Sequence, residues 1–241
     1  MYSILEHYLS TNHILMIGMI VTFILTFFLL EHPFSFLPSD QGRAFAVNGS
    51  LSKGKLRGVG FIFVLCFLIS SVLFLPIDVE YVIYAILLFA MMISGYLDDA
   101  SKTPWNEYKK GLIDLVISVV AVLTYMNFNS TTICFGADEI VIPKALFLIL
   151  GVILIWVSVN VTNCTDGVDG LCASLCSVTL LAFGVLFASV LQKYAMANFL
   201  FLSVLFAYLY FNSSPSSMLM GDAGSRALGF YIAVIALKST H

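Results

Sequence analysis

Five aspartates fall in three short clusters whose residue types suit phosphate and cation chemistry. They are Asp98 and Asp99 in "YLDDASK", Asp166 and Asp169 in "NVTNCTDGVDGLCAS", and Asp222 in "MGDAGSRALGF". Adjacent carboxylates repel and raise each other's pKa unless a cation or proton intervenes. Asp98 and Asp99 also end an apolar run, where the helix dipole disfavours negative charge. The pair is a poor solvated helix end and a good cation or proton site. Asn160, Asn163, Asp166 and Asp169 recur at every third position, roughly along one side of a helix, with Gly167 and Gly170 arguing for a tight break in it. One Asp and one Asn would suffice to cap the next helix; four such residues exceed that need. Glycines let a ligand approach the backbone and leave N–H groups for phosphate. Asp222, framed by Gly221 and Gly224, reads on its own equally as a helix cap, with Ser225 a competing cap.

The elements that must position these clusters are membrane helices. The chain is 60% hydrophobic and only 10% charged, against about 25% charged in a soluble domain. Eight apolar runs are long enough to be spans, given roughly 20 residues per crossing: 14–30, 58–75, 81–97, 112–128, 145–161, 171–191, 195–211 and a shorter one at 227–237. This predicts an all-α integral membrane protein, residues 1–241 forming one polytopic domain. The first run is expected to be a retained span rather than a signal peptide, given that no basic leader with a cleavage site opens the sequence. Residues 131–142, "TTICFGADEIVI", predict a short β-hairpin in an outer loop.

Alternating loops divide the cations unequally. One side holds Arg43, Lys53, Lys55, Arg57, Lys102, Lys109, Lys110 and Arg226; the other holds Lys144, Lys193 and Lys238. The positive-inside rule puts the first set in the cytoplasm and the N-terminus outside. All three aspartate clusters share that cytoplasmic side. Acids on the opposite side, Asp78, Glu80, Asp138 and Glu139, lack Gly or Asn framing. The five cysteines (Cys66, Cys134, Cys164, Cys172, Cys176) form no CxxC pair and no spaced Cys/His set, which favours small buried hydrophobes over metal ligands or disulfides. The few, scattered cations exclude a nucleic-acid surface.

Carboxylates in this number suit Mg²⁺, which keeps several waters and bridges to substrate phosphates. Lys53, Lys55, Arg57, Lys109 and Lys110 on the same side would hold a polyanion. The arrangement fits an enzyme that joins a soluble phosphorylated substrate to a membrane lipid. A transporter would instead place ionisable residues near the midplane or on broken helices, and the middles of these runs are nearly free of charge.

The motifs "LDD", "NVTNCTDGVDGL" and "MGDAGSRALGF", in this order and topology, resemble the polyprenyl-phosphate N-acetylhexosamine-1-phosphate transferases. The resemblance covers most of residues 14–238. It is to the branch that converts UDP-MurNAc-pentapeptide and undecaprenyl phosphate to lipid I and UMP, with Mg²⁺, in peptidoglycan synthesis at the bacterial inner membrane. A homodimer is common in that family. The resemblance implies that Asp222 ligates Mg²⁺ and that Asp98, beside Asp99, is the base readying the lipid phosphate. It implies a nucleotide pocket lined by Asn160, Asn163, Asp166, Gly167 and Asp169, with Asn212 and Gly221 on its rim. It implies Lys53 as the phosphate contact, with Lys55 and Arg57 as alternatives, since "LSKGKLRGVG" departs from the family's usual element. Leu219 stands where many relatives carry an aromatic that stacks on the base. The family continues into further spans and a His-rich loop, so the resemblance implies a chain lacking its C-terminal part and an incomplete site; His7, His13, His32 and His241 do not form that motif. A sister reaction on UDP-GlcNAc shares all three motifs.

Overall fold

The computed structural model describes residues 1–32, 34–40, 42, 53–101, 103, 105–135 and 138–239. Arg43, Lys102, Gly136, Ala137 and His241 lie outside the described residues. After a short turn of helix, α1 (Tyr2–Leu5), the apolar runs fold as α2 (Thr11–Glu31), α3 (Gly60–Phe74), α4 (Val79–Asp99), α5 (Glu107–Phe128), α6 (Lys144–Thr165), α7 (Leu171–Phe187), α8 (Gln192–Asn212) and α9 (Gly221–Lys238). The hairpin is present as β1 (Thr132–Phe135) antiparallel to β2 (Asp138–Val141), with Thr132 opposite Val141. Among the described residues, α2, α4, α5, α6 and α8 are long and apolar enough to cross a membrane. The other three runs are helical too, but α3 and α7 are shorter, and α9 carries Asp222, Arg226 and Lys238.

Local sequence sets the helix starts. Asp78 caps α4 by accepting the Tyr81 N–H at 2.8 Å, and Asn106 caps α5 by accepting the Tyr108 N–H at 3.0 Å. Gly170, at φ 75°, turns the chain into α7. Exposed Leu, Ile, Val and Phe cover the outer faces of α2, α5 and α6, as lipid-facing helices require. α9 is the axis of the fold: every residue in it except Ile232 and Ala236 is buried. It packs on α3, α4 and α6, while α5 packs on α4 and α6 and reaches α9 through the Lys110 and Asp114 side chains. Glycines permit these close approaches. A Cβ at Gly60 would lie 2.1 Å from the Gly224 nitrogen, and one at Gly95 would lie 2.4 Å from the Asp222 carbonyl carbon.

At the end far from the aspartate clusters, Glu80 is buried among donors. Lys238 Nζ lies 3.0 Å from each of its carboxylate oxygens, Asn129 Nδ2 donates at 2.7 Å and the Tyr84 hydroxyl at 3.1 Å. Cys66, Cys172 and Cys176 are buried as expected, whereas Cys164 is exposed.

Candidate active site

α4 delivers Asp98 and Asp99 by its last turn and α9 delivers Asp222 by its first. This juxtaposition answers the dipole argument against acids at a helix C-terminus. The α9 N-terminus faces them, and its Ala223 N–H donates to Asp99 Oδ2 at 3.1 Å. Gly221, at φ 67°, makes the approach possible, since a Cβ there would lie 2.3 Å from Asp99 Oδ2. Ser225 is no cap: it lies inside α9 and its hydroxyl donates to the Gly221 carbonyl at 2.9 Å.

Two cations knit the three carboxylates together. Lys110, one turn into α5, lies 2.6 Å from Asp98 Oδ2 and 3.1 Å from Asp222 Oδ2. Arg57 Nε lies 2.8 Å from Asp99 Oδ1, an ion pair without hydrogen-bond alignment, and its Nη2 lies 3.5 Å from Asp222 Oδ1. Asp40 approaches the same guanidinium at 3.6 Å. Burial would lower the Arg57 pKa, but the charges of Asp99, Asp222, Asp40 and Asp166 outweigh it and raise it above its ordinary value. Asp222 precedes the apolar stretch of α9 that begins at Ala227. Burial would raise its pKa, yet Lys110, Asp98 and Arg57 hold it below the usual carboxylate value. Asp98 also accepts the Trp105 N–H at 2.7 Å.

Arg57 reaches this place through a small backbone ladder. Its N–H bonds to Pro38 O, the Leu219 N–H bonds to Leu56 O, and the Gly60 N–H bonds to Met220 O. The chain before α3 is thereby tied to the chain before α9. Of the three basic candidates in this stretch, Lys53 is exposed. Arg57 instead meets the carboxylates, and Lys55 donates to Ser216 Oγ at 2.9 Å and lies 3.9 Å from Asp169.

The second cluster is divided by the end of α6 at Thr165. Asn163 joins the core of the site, donating to Asp222 Oδ1 at 3.2 Å and Ser225 Oγ at 2.9 Å. Asn160, one turn earlier, is exposed and bonds back to Trp156 O within its own helix. Asp166 and Gly167 lie in the turn that follows, partly or fully exposed. Asp169 accepts the Ser216 N–H at 3.0 Å and the Ser216 hydroxyl at 2.8 Å. Asn212 accepts the Gly170 N–H at 3.0 Å and donates to Met218 O at 2.9 Å. These two residues fasten the 166–170 turn to the 213–220 loop.

Sequence reasoning missed two contributors. Asp40 lies in the loop after α2 without a motif around it. Arg226, counted above as a loop cation, is buried inside α9 against Asp114. The signal for that pair was present: Asp114 is an acid four residues after Lys110, inside an apolar run. The assembled site therefore holds buried carboxylates cross-linked by Lys110 and Arg57 at one end of a helical bundle, bordered by a polar turn. It is suited to binding a phosphorylated ligand at a membrane surface.

The profile of glycosyl transferase family 4 matches residues 81–240, which include all three aspartate clusters. Among curated relatives, the phospho-N-acetylmuramoyl-pentapeptide-transferase of Treponema pallidum is 35% identical over 92% of this chain and 68% of its own length. The namesake from Dictyoglomus turgidum is 26% identical over 93% of this chain and 74% of its own. That of Halalkalibacterium halodurans is 29% identical over 95% of this chain and 76% of its own. With its apolar helices and its carboxylate cluster placed as described, this chain belongs to glycosyl transferase family 4.

Proposed function

We propose that the protein transfers phospho-MurNAc-pentapeptide from UDP-MurNAc-pentapeptide to undecaprenyl phosphate, giving lipid I and UMP. It would act in the bacterial inner membrane with the carboxylate end facing the cytoplasm. The supporting observation is the likeness to phospho-N-acetylmuramoyl-pentapeptide-transferases along nearly the whole chain, joined to the meeting of Asp98, Asp99 and Asp222 with Lys110 and Arg57. The cytoplasmic assignment rests on the cation excess of that end.

In this reading an oxygen of the lipid phosphate attacks the sugar-bearing phosphorus. A new P–O bond forms, and the bond to the UMP oxygen breaks. Phosphoryl transfer asks mostly for positioning and charge stabilisation. Lys110 and Arg57 turn from carboxylates to phosphate oxygens and neutralise charge on them. Asp98, buried beside Lys110, orients the acceptor phosphate and takes any proton it carries, with Asp99 fixing Arg57. Asn163 holds Asp222 in place. The 166–170 turn, fastened by Asp169 and Asn212, forms the nucleotide side.

Among the described residues no group of three or more His, Cys, Asp or Glu forms a ready metal cage. The all-oxygen donor set nonetheless fits Mg²⁺, which needs only one or two carboxylates when substrate phosphates complete its shell. Asp222 would hold it, and the ion would offset negative charge on the pyrophosphate.

The test is UMP release by the protein, expressed from its own reading frame, with undecaprenyl phosphate, Mg²⁺ and either UDP-MurNAc-pentapeptide or UDP-GlcNAc. Release from the first alone is expected. Release only from UDP-GlcNAc would move the protein to the sister reaction, and release from neither would refute both.

A further inference from the structure

One turn below the site, Asp114 of α5 and Arg226 of α9 form a buried ion pair with Arg226 Nη2 2.5 Å from Asp114 Oδ1, each residue 2% exposed. It repeats the pattern above it. Lys110 and Asp114 are four residues apart on α5, and Asp222 and Arg226 are four apart on α9, so each pair shares one helix face. Lys110 meets Asp222 and Asp114 meets Arg226, which makes a two-rung ladder with its charges reversed between rungs. α5 and α9 pack mainly on α4 and α6 rather than on each other. The rungs therefore span the space between them.

We propose that Asp114 and Arg226 are positioning residues. They fix the spacing and rotation of α5 against α9, so that Lys110 Nζ stands between Asp98 and Asp222. Ionisable groups inside a membrane bundle are costly and mark function. Replacing a buried ion pair by well-packed apolar residues is often neutral or stabilising, so stability is weak grounds for keeping one. Arg226 Nη1 is buried without a hydrogen-bond partner, which again marks a group kept at some cost. Asp114 and Arg226 touch no phosphate in this scheme and act through Lys110 and Asp222. The inference rests on the transferase reading for its kinetic consequence, although the geometry it asserts does not.

The test replaces both residues by leucine, Asp114→Leu with Arg226→Leu, which leaves no unpaired buried charge. Turnover is expected to fall about tenfold or more, with KM for the nucleotide substrate within about twofold, as for a group displaced by a fraction of an ångström. The loss should be non-additive with Lys110→Ala, because both changes disturb one interaction. Wild-type turnover in the double variant, or full additivity, overturns the proposal. If the double variant does not fold, Arg226→Lys decides: it keeps the charge but shortens the donor, and unchanged kcat overturns the proposal. If the wild-type protein transfers nothing, the transferase reading fails, and reductive methylation of Lys110 becomes the readout. It should be at least about threefold faster in the double variant, because Nζ is no longer held between carboxylates; an equal rate overturns the geometry itself.

Discussion

Gly221 carries the tightest requirement at the residue scale. Its positive φ and the 2.3 Å gap to Asp99 leave no room for a methyl group. Gly221→Ala should cost about 2 kcal/mol from backbone strain and push Asp99 off the Ala223 N–H. Thermal melting should show the loss, and turnover should drop about tenfold or more. Asp222→Asn should preserve the fold, since the amide keeps its volume, yet remove a charge shared by Lys110 and Arg57. A variant with normal melting and normal turnover would contradict its assigned role. Asp98, Asp99, Asn163 and Asp222, which the structure brings together, were singled out in the sequence because three polar clusters at span ends share one side of the membrane. Lys53 was not settled there, because three cations within five residues differ only in which way the ladder turns them. The backbone bonds of Leu56 and Arg57 turn Arg57 to the carboxylates. Asn160 followed the period of its cluster but is exposed and bonds within its own helix.

At the element scale, hydropathy located α2 to α9, because burial in lipid or protein demands apolar runs of that length. It gave no sign that the least apolar one, α9, is the axis. Its Gly, Ala and Ser side chains allow neighbours to approach, which hydropathy does not measure. The far end shows how α9 is anchored. Glu80 binds Lys238, Asn129 and Tyr84, joining the start of α4 to the ends of α5 and α9. Lys238→Met would leave Glu80 buried without its counter-ion and should cost about 3 kcal/mol. Pairing it with Glu80→Gln should recover most of that loss, measured by melting in detergent. Nearby, Lys193 pairs with Asp78. Partial burial raises the Asp78 pKa, but Lys193 and the Tyr81 N–H outweigh it, so its folded value lies below the unfolded one. Its stabilisation is present above the unfolded value of about 4 and is lost as pH falls through the folded one. Lys193→Ala should therefore lower the melting temperature more at neutral pH than at a pH acid enough to protonate Asp78 in the folded protein. An equal effect at both would contradict the ion pair's role.

Among the described residues, the carboxylate cluster lies at one end of the bundle and a polar clasp at the other, connected by α9. The acids come from α4, the 166–170 turn, α9 and, with Asp40, the loop after α2; the segment before α3 and α5 supply the cations. The sidedness of the loops, read from their Lys and Arg, is enough to gather the acids at one end. It does not rank the cations or reveal the ladder below them, because those depend on helix rotation. The central claim is that this end moves a sugar phosphate from nucleotide to lipid. It is tested most directly with UDP-MurNAc-pentapeptide radiolabelled at the phosphate next to the sugar, offered to the protein with undecaprenyl phosphate and Mg²⁺. The account predicts that label enters the solvent-extractable lipid with the wild-type protein and stays in the aqueous phase with Asp222→Asn. Label that remains aqueous with wild type, or reaches lipid equally with the variant, would contradict it.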